Sequence, residues 1–435
     1  MKEKILTNVR IIDPSQKMDE IGNIVIDEKG KIKSIGKKSG TSKSAEKIDL
    51  KGLVAIPGLV DMKAFVGEPG FEYKENFRTL SQAALAGGVT SIVTMPNTKP
   101  VIDNVSMVDF IIRRGRDKAK VNLFPCASIT RQMEGNQMTE FGLLKARGII
   151  GFSDVNKTIQ NSELMSRIMN YASDIDVLIM QHAEDYELAK NSCINQGEVA
   201  TRLGLQGVSD IAEKIIIERD LSLLSEFPCR YHINQISSKN SLNVIKKNKS
   251  NGIKFSTGVS INNLSLNQND IGEFRTFLKL SPPLRSEEDR LSLIEGIKND
   301  LINVIVSDHI PEDEESKRLP FAQAATGSIG IETLLSLSLE LYHNGSVKLE
   351  TIIKALTSNP AKILKINKLI LFNFFAACKP AQTAEPEDPP INSPSCLIKS
   401  FAVLKESSSF TFIYWSTRLL SKTSGKKSYP IPSIK

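Results

Sequence analysis

Eight short apolar runs recur between residues 53 and 309, and they restrict what this chain can fold into. They are LVAIPGLVDM, SIVTMPN, VNLFPCAS, IIGFSD, DVLIMQHAED, CRYHINQIS, IKFSTGVS and INVIVSDH. Most are followed by a segment with helical periodicity, such as VDFIIRRGRDKAK, SELMSRIMNYA or IAEKIIIERDLSLL. Strands that alternate with helices at this rate predict an α/β fold, a TIM-type (β/α)8 barrel spanning 53–345. Polar residues gather where the runs end: Asp61, Asn97, Asp154, His182, Gln235 and Asp308. In such a barrel those ends form the rim that carries chemistry.

The flanks follow other rules. Residues 1–52 hold short alternating segments, ILTNVRIID and NIVIDEKGKIKSIG, which predict a small N-terminal β unit. Residues 346–368 read as a closing helical segment. From 369 to 435 the rhythm is lost: an apolar burst, LILFNFFAAC, precedes Pro380, Pro386, Pro389, Pro390 and Pro394 and then Ser-rich sequence. With no sustained periodicity, this stretch is expected to be an atypical, disordered tail. The C-terminal strands that would complete the N-terminal β unit are expected to be lost with it.

The net charge of +7 raises the question of a nucleic-acid partner. Up to Lys368 there are 48 Lys and Arg against 45 Asp and Glu; after it, 8 against 4. The tail thus holds 4 of the 7 excess charges, and the body has no basic run interleaved with aromatics, so no nucleic-acid partner is expected. No apolar run reaches the ~18 residues of a membrane span, and the N-terminus lacks the apolar core of a signal peptide. The five cysteines form no CxxC pair, which excludes a cysteine-based zinc ribbon and suits a reduced, cytoplasmic protein.

Several segments resemble dihydroorotases, in the amidohydrolase branch that includes allantoinases and hydantoinases. They are IPGLVDM with the following EPG, AALAGGVTSIVTMPNT, GFSD, QHAED, RYHINQIS, SPPLR, SDHIPE and GSIGIETLL, in order over residues 1–368. The resemblance implies one or two zinc ions held by a His-x-His pair on the first strand and an acidic or carboxylated-lysine ligand on the fourth. A His on each of the fifth and sixth strands and an Asp on the eighth complete the set. Zinc lowers the pKa of a bound water to near 7, and the resulting hydroxide opens a cyclic amide such as dihydroorotate.

This chain departs from that pattern. Where the family has His-x-His it has Lys63-Ala64-Phe65, neither end of which can ligate zinc as an ammonium or a phenyl ring. Gln235 stands at the sixth-strand His position, and His232 aligns with a non-ligand histidine. Asp154, His182 and Asp308 remain as metal candidates, with Asp308 also the proton-handling catalytic residue. Asn97 and His309 are the substrate-binding candidates, while the substrate-gripping Arg before EPG is Gly67 and the second His of the DHxPH-type motif is Glu312. Lys63 is expected to point into the mouth and neutralise Asp154 and Asp308.

The expectation is therefore a non-catalytic, structural dihydroorotase homologue in pyrimidine biosynthesis, with zinc weak or absent. The resemblance names aspartate carbamoyltransferase as the partner in an oligomer. The alternative is an active cyclic amidohydrolase using a single metal on Asp154, His182 and Asp308.

Overall fold

The computed structural model describes residues 2–37, 39 and 45–366, with the backbone of 375–378, 401–406 and 409–414. The alternating N-terminal segments form strands β1 (Lys4–Asp13), β2 (Met18–Ile26), β3 (Ile32–Gly36) and β4 (Glu46–Asp49). β1 pairs antiparallel with β2, and β2 antiparallel with β3, while β4 runs parallel to β1. Val9, Ile11, Ile24, Leu50 and Ala55 make the small core of this sheet.

The first long apolar run is divided between two sheets. Its front, β5 (Val54–Pro57), pairs parallel with β1, whereas its back, β6 (Leu59–Ala64), opens the barrel. Gly58 lies between them at a close approach: a Cβ there would sit 2.2 Å from the Thr90 hydroxyl. The barrel continues through β7 (Val89–Thr94), β8 (Asn122–Ala127), β9 (Gly151–Phe152) and β10 (Leu178–Gln181). A small excursion, β11 (Ile194–Asn195) and β12 (Gly207–Val208), interrupts the rhythm. It then resumes with β13 (Arg230–Ile233), β14 (Ser256–Ser260) and β15 (Val304–Val306). The eight barrel strands lie in chain order and all adjacent pairs are parallel.

Burial explains the arrangement. Val60, Met62, Val93, Met95, Leu178, Met180, Val304 and Val306 fill the barrel interior, following the two-residue alternation of strands. Ala361, Leu364 and Ile366 pack beneath them and close the floor. The opposite faces of the strands meet the surrounding helices. Phe77–Ala86, for instance, buries Phe77, Leu80, Ser81, Ala84 and Leu85, the i, i+3, i+4 stripe of an amphipathic helix. Asn76 caps that helix with a reciprocal capping box.

One strand from beyond the barrel does return. Phe375–Cys378 (β16) runs antiparallel to β5, so the N-terminal sheet keeps a C-terminal partner where none was expected. The open edge of β5 presents unpaired backbone groups, which an extended segment satisfies with little demand on its sequence. Two further strands, Phe401–Glu406 and Ser409–Tyr414, pair antiparallel with each other. The rest of the expected disordered tail lies outside the described residues.

Candidate functional site at the barrel mouth

The strand ends converge on the side opposite the floor, and Lys63 lies among them. The pairing of β6 with β7 shifts register between Asp61 and Ala64, an irregularity of the kind that re-aims a side chain. Lys63 is 1 % exposed, and its ammonium lies 2.9 Å from Asp308 Oδ1. It donates to Gln235 Oε1 at 3.0 Å and to Asn156 Oδ1 at 2.8 Å. Two of the ammonium's N–H donors thus go to amide oxygens, while Asp308 Oδ1 is held by charge alone and accepts no hydrogen bond. Among the described residues Asp308 is the one carboxylate within 4 Å of Lys63.

Asp154 is not part of that pair, which corrects the expectation that Lys63 neutralises both carboxylates. Its Oδ1 accepts from the backbone N–H groups of Ile129 (2.8 Å) and Thr130 (3.1 Å), and the Thr130 hydroxyl donates to Oδ2. The carboxylate therefore ties down the loop after β8. Burial pushes it up to about 6, against the pull of those hydrogen bonds. Asp61 is used in the same way: it accepts from the Ser307 backbone and hydroxyl, and burial also holds it near 6.

His182 is fully buried, and neither ring nitrogen has a hydrogen-bond partner. Burial, reinforced by the Lys63 charge, pushes it down to about 3, so the imidazole is neutral. The Gln235 amide nitrogen and Asn97 Oδ1 are likewise without partners. His309 is fully committed. Gly330 N–H donates to its Nδ1 at 3.2 Å, which puts the proton on Nε2, 3.2 Å from Glu75 Oε2. A substrate contact at His309 would have to displace Glu75. His232 Nδ1 pairs with Ser256 Oγ at 2.8 Å.

The loop after β6 folds down over the mouth. A Cβ on Gly67 would lie 2.1 Å from the Phe71 carbonyl oxygen and 2.6 Å from that of Glu75. The turn thus occupies the space through which a longer side chain at 67 would leave the backbone. Phe71 packs against the buried Phe65 with ring centroids 6.4 Å apart. Lys74 reaches across to Glu312 Oε2 at 2.5 Å, and its ammonium lies 5.5 Å from the Phe71 ring centre. Asn156, Lys74 and Glu75 escaped the sequence reading because loop conformation, not periodicity, brings them to the mouth. The exchange of the second His of the DHxPH-type motif for Glu312, a residue able to pair with a cation, was the one available signal.

These residues do not fit a zinc ion. Among the described residues no group of three or more His, Cys, Asp or Glu side chains is placed to hold a metal. Asp308 faces an ammonium, Asp154 is turned to a loop, Phe65 offers no lone pair, and Gln235 gives its oxygen to Lys63. Among the described residues the unpartnered buried imidazole nitrogens are those of His182 and the Nε2 of His232, and with no carboxylate grouped with them they are too few to hold zinc.

Comparison with known proteins agrees with the fold. Residues 52–241 match the family model described as dihydro-orotase-like. The chain is 41 % identical over 365 residues to a dihydroorotase of Ehrlichia canis, covering 82 % of this chain and 81 % of that protein. It is 40 % identical over 366 residues to a dihydroorotase of Syntrophus aciditrophicus, covering 84 % and 85 %. Among solved structures, the L-hydantoinase (dihydropyrimidinase) of Arthrobacter aurescens superposes with a TM-score of 0.74 at 21 % identity, over 84 % of this chain and 83 % of that one. No helix among the described residues is long and apolar enough to cross a membrane.

Proposed function

This chain belongs to the dihydroorotase family, and from that membership together with the depleted barrel mouth we propose that it is a non-hydrolysing dihydroorotase homologue serving pyrimidine biosynthesis. One observation carries the reading: the Lys63 ammonium, 2.9 Å from Asp308, stands against the carboxylate that would take the last zinc position. A cation held there by its own chain opposes a second, divalent one at the same oxygen. Without a metal-bound hydroxide the mouth has no nucleophile able to open a cyclic amide at neutral pH. The structural role, as a partner of aspartate carbamoyltransferase in an oligomer, is supported by the resemblance to the family's degenerate subunits.

A second reading has its own support. Relatives about 40 % identical carry the name dihydroorotase, and His182, Asp308 and Asn97 are kept. On that reading the protein is an active cyclic amidohydrolase with a single metal. The two separate in one assay, turnover of dihydroorotate and carbamoyl aspartate by protein expressed with added zinc. The first reading expects no rate above that of the Asp308→Asn variant. A rate at least tenfold above that variant would establish the second. Size-exclusion chromatography with aspartate carbamoyltransferase then tests the partner: co-elution supports the structural role, and independent elution at micromolar concentrations removes it.

A further inference from the structure

The eight-stranded sheet has a seam, where β15 must meet β6 for the barrel to close. The regular backbone ladder there is thin: an isolated bridge joins Ala64 to His309, and Phe65 N–H donates to the His309 carbonyl at 2.8 Å. Around that bridge three side-chain pairs cross from β6 and its loop to the end of β15. Lys63 meets Asp308 at 2.9 Å, Glu75 meets His309 at 3.2 Å, and Lys74 meets Glu312 at 2.5 Å. The side chains of the first two pairs are 9 % exposed or less, and those of the third 19 % and 11 %. All three cross the same seam, and all lie at the mouth rather than the floor.

We propose that the two lysine–carboxylate pairs, with the His309–Glu75 hydrogen bond between them, form a polar clasp that closes the barrel in place of a metal ion. The inference rests on the reading of a metal-free mouth, since ligands from the first and eighth strands would otherwise join that seam through zinc. Placement supports it. Asp308 has φ of 51°, in the left-handed region that a non-glycine residue enters at a cost unless its surroundings hold it there. Lys63 holds its carboxylate. Glu312 is likewise matched by a lysine from the loop that covers the mouth. Phe71, packed on Phe65, lies beneath the Lys74 ammonium, and the burial of Lys63 and Asp308 strengthens their attraction.

Thermal unfolding of the purified full chain, with EDTA or with added zinc, tests this against variants. Wild-type protein is expected to melt at the same temperature in both solutions. Lys63→Met leaves a buried carboxylate without its partner and is expected to lower the midpoint by about 5 °C or more. Lys63→Met with Asp308→Asn should recover part of that loss. Because Lys63→Met could fail to fold, the Lys74→Met and Glu312→Gln pair provides a second cycle at the better-solvated end of the clasp. There the double variant should lose clearly less than the sum of the singles, while the same cycle on the exposed Arg167–Glu163 pair should show near-additivity. A Lys63→Met midpoint equal to wild type, or additivity at Lys74–Glu312, would overturn the clasp and leave the non-hydrolysing reading standing. A rise in the wild-type midpoint with zinc, reversed by EDTA, would overturn both.

Discussion

Lys63 shows how one residue changes the chemistry of a barrel mouth. Its position at the end of the first barrel strand pointed it inward, and its ion pair with Asp308 followed from the retained carboxylate. The other half of that expectation failed because Asp154 found donors nearer at hand, the amides of Ile129 and Thr130. No periodicity announces a loop amide, so that competition was not legible. The buried titratable groups give a prediction at this scale. His232 is pushed down to about 3 by burial, against 6.5 when solvated, so between those values the unfolded chain binds the extra proton. Its contribution to stability is present above pH 6.5 and is lost as pH falls through that window. Asp61 and Asp154, raised from 3.8 to about 6, act with the opposite sign: their contribution is present below pH 3.8 and is lost as pH rises through 6. The two effects oppose each other in the wild type, so the test is a difference between proteins. His232→Gln should lose less of its urea midpoint than wild type between pH 7.5 and pH 5. Parallel losses would mean that His232 is not held neutral.

At the scale of elements, the eight strands were legible because each is a compact apolar run ended by a polar residue. The division of the first run between β5 and β6 was not, since residues buried on either side of Gly58 look alike in sequence. Nor was the β11–β12 excursion, whose strands are two residues each. The loop after β6 had a signal, Gly67 in place of an arginine, but its meaning emerged from the backbone. The carbonyls of Phe71 and Glu75 occupy the space of a Cβ at 67. Gly67→Ala must push that turn outward and is expected to destabilise by about 1–3 kcal/mol, the usual effect of overpacking. Guanidinium denaturation measures it, and an unchanged midpoint would show that the turn gives way freely. The displaced turn should also loosen Lys74–Glu312, so Gly67→Ala and Lys74→Met should be less than additive.

At the scale of the molecule, sequence and structure agree on a (β/α)8 barrel beside an N-terminal sheet, the architecture shared with the hydantoinase fold. They part at the C-terminus, where β16 supplies the N-terminal sheet with a strand that the sequence pattern did not promise. Its apolar burst was visible, but four residues carry no periodicity and the pairing is a backbone affair. The barrel keeps an unbroken strand order over an apolar interior and floor, while its mouth is filled from within by a lysine, two phenylalanines and a descending loop. On the proposed non-hydrolysing reading, that filling stands where a zinc centre would be. The most direct test is the zinc content of wild-type protein purified from zinc-supplemented cells and shown by circular dichroism to be folded. Well under about 0.1 zinc per chain is expected after dialysis, because so few free ligands cannot retain the metal. About one zinc per chain, abolished by His182→Ala or Asp308→Ala, would contradict it.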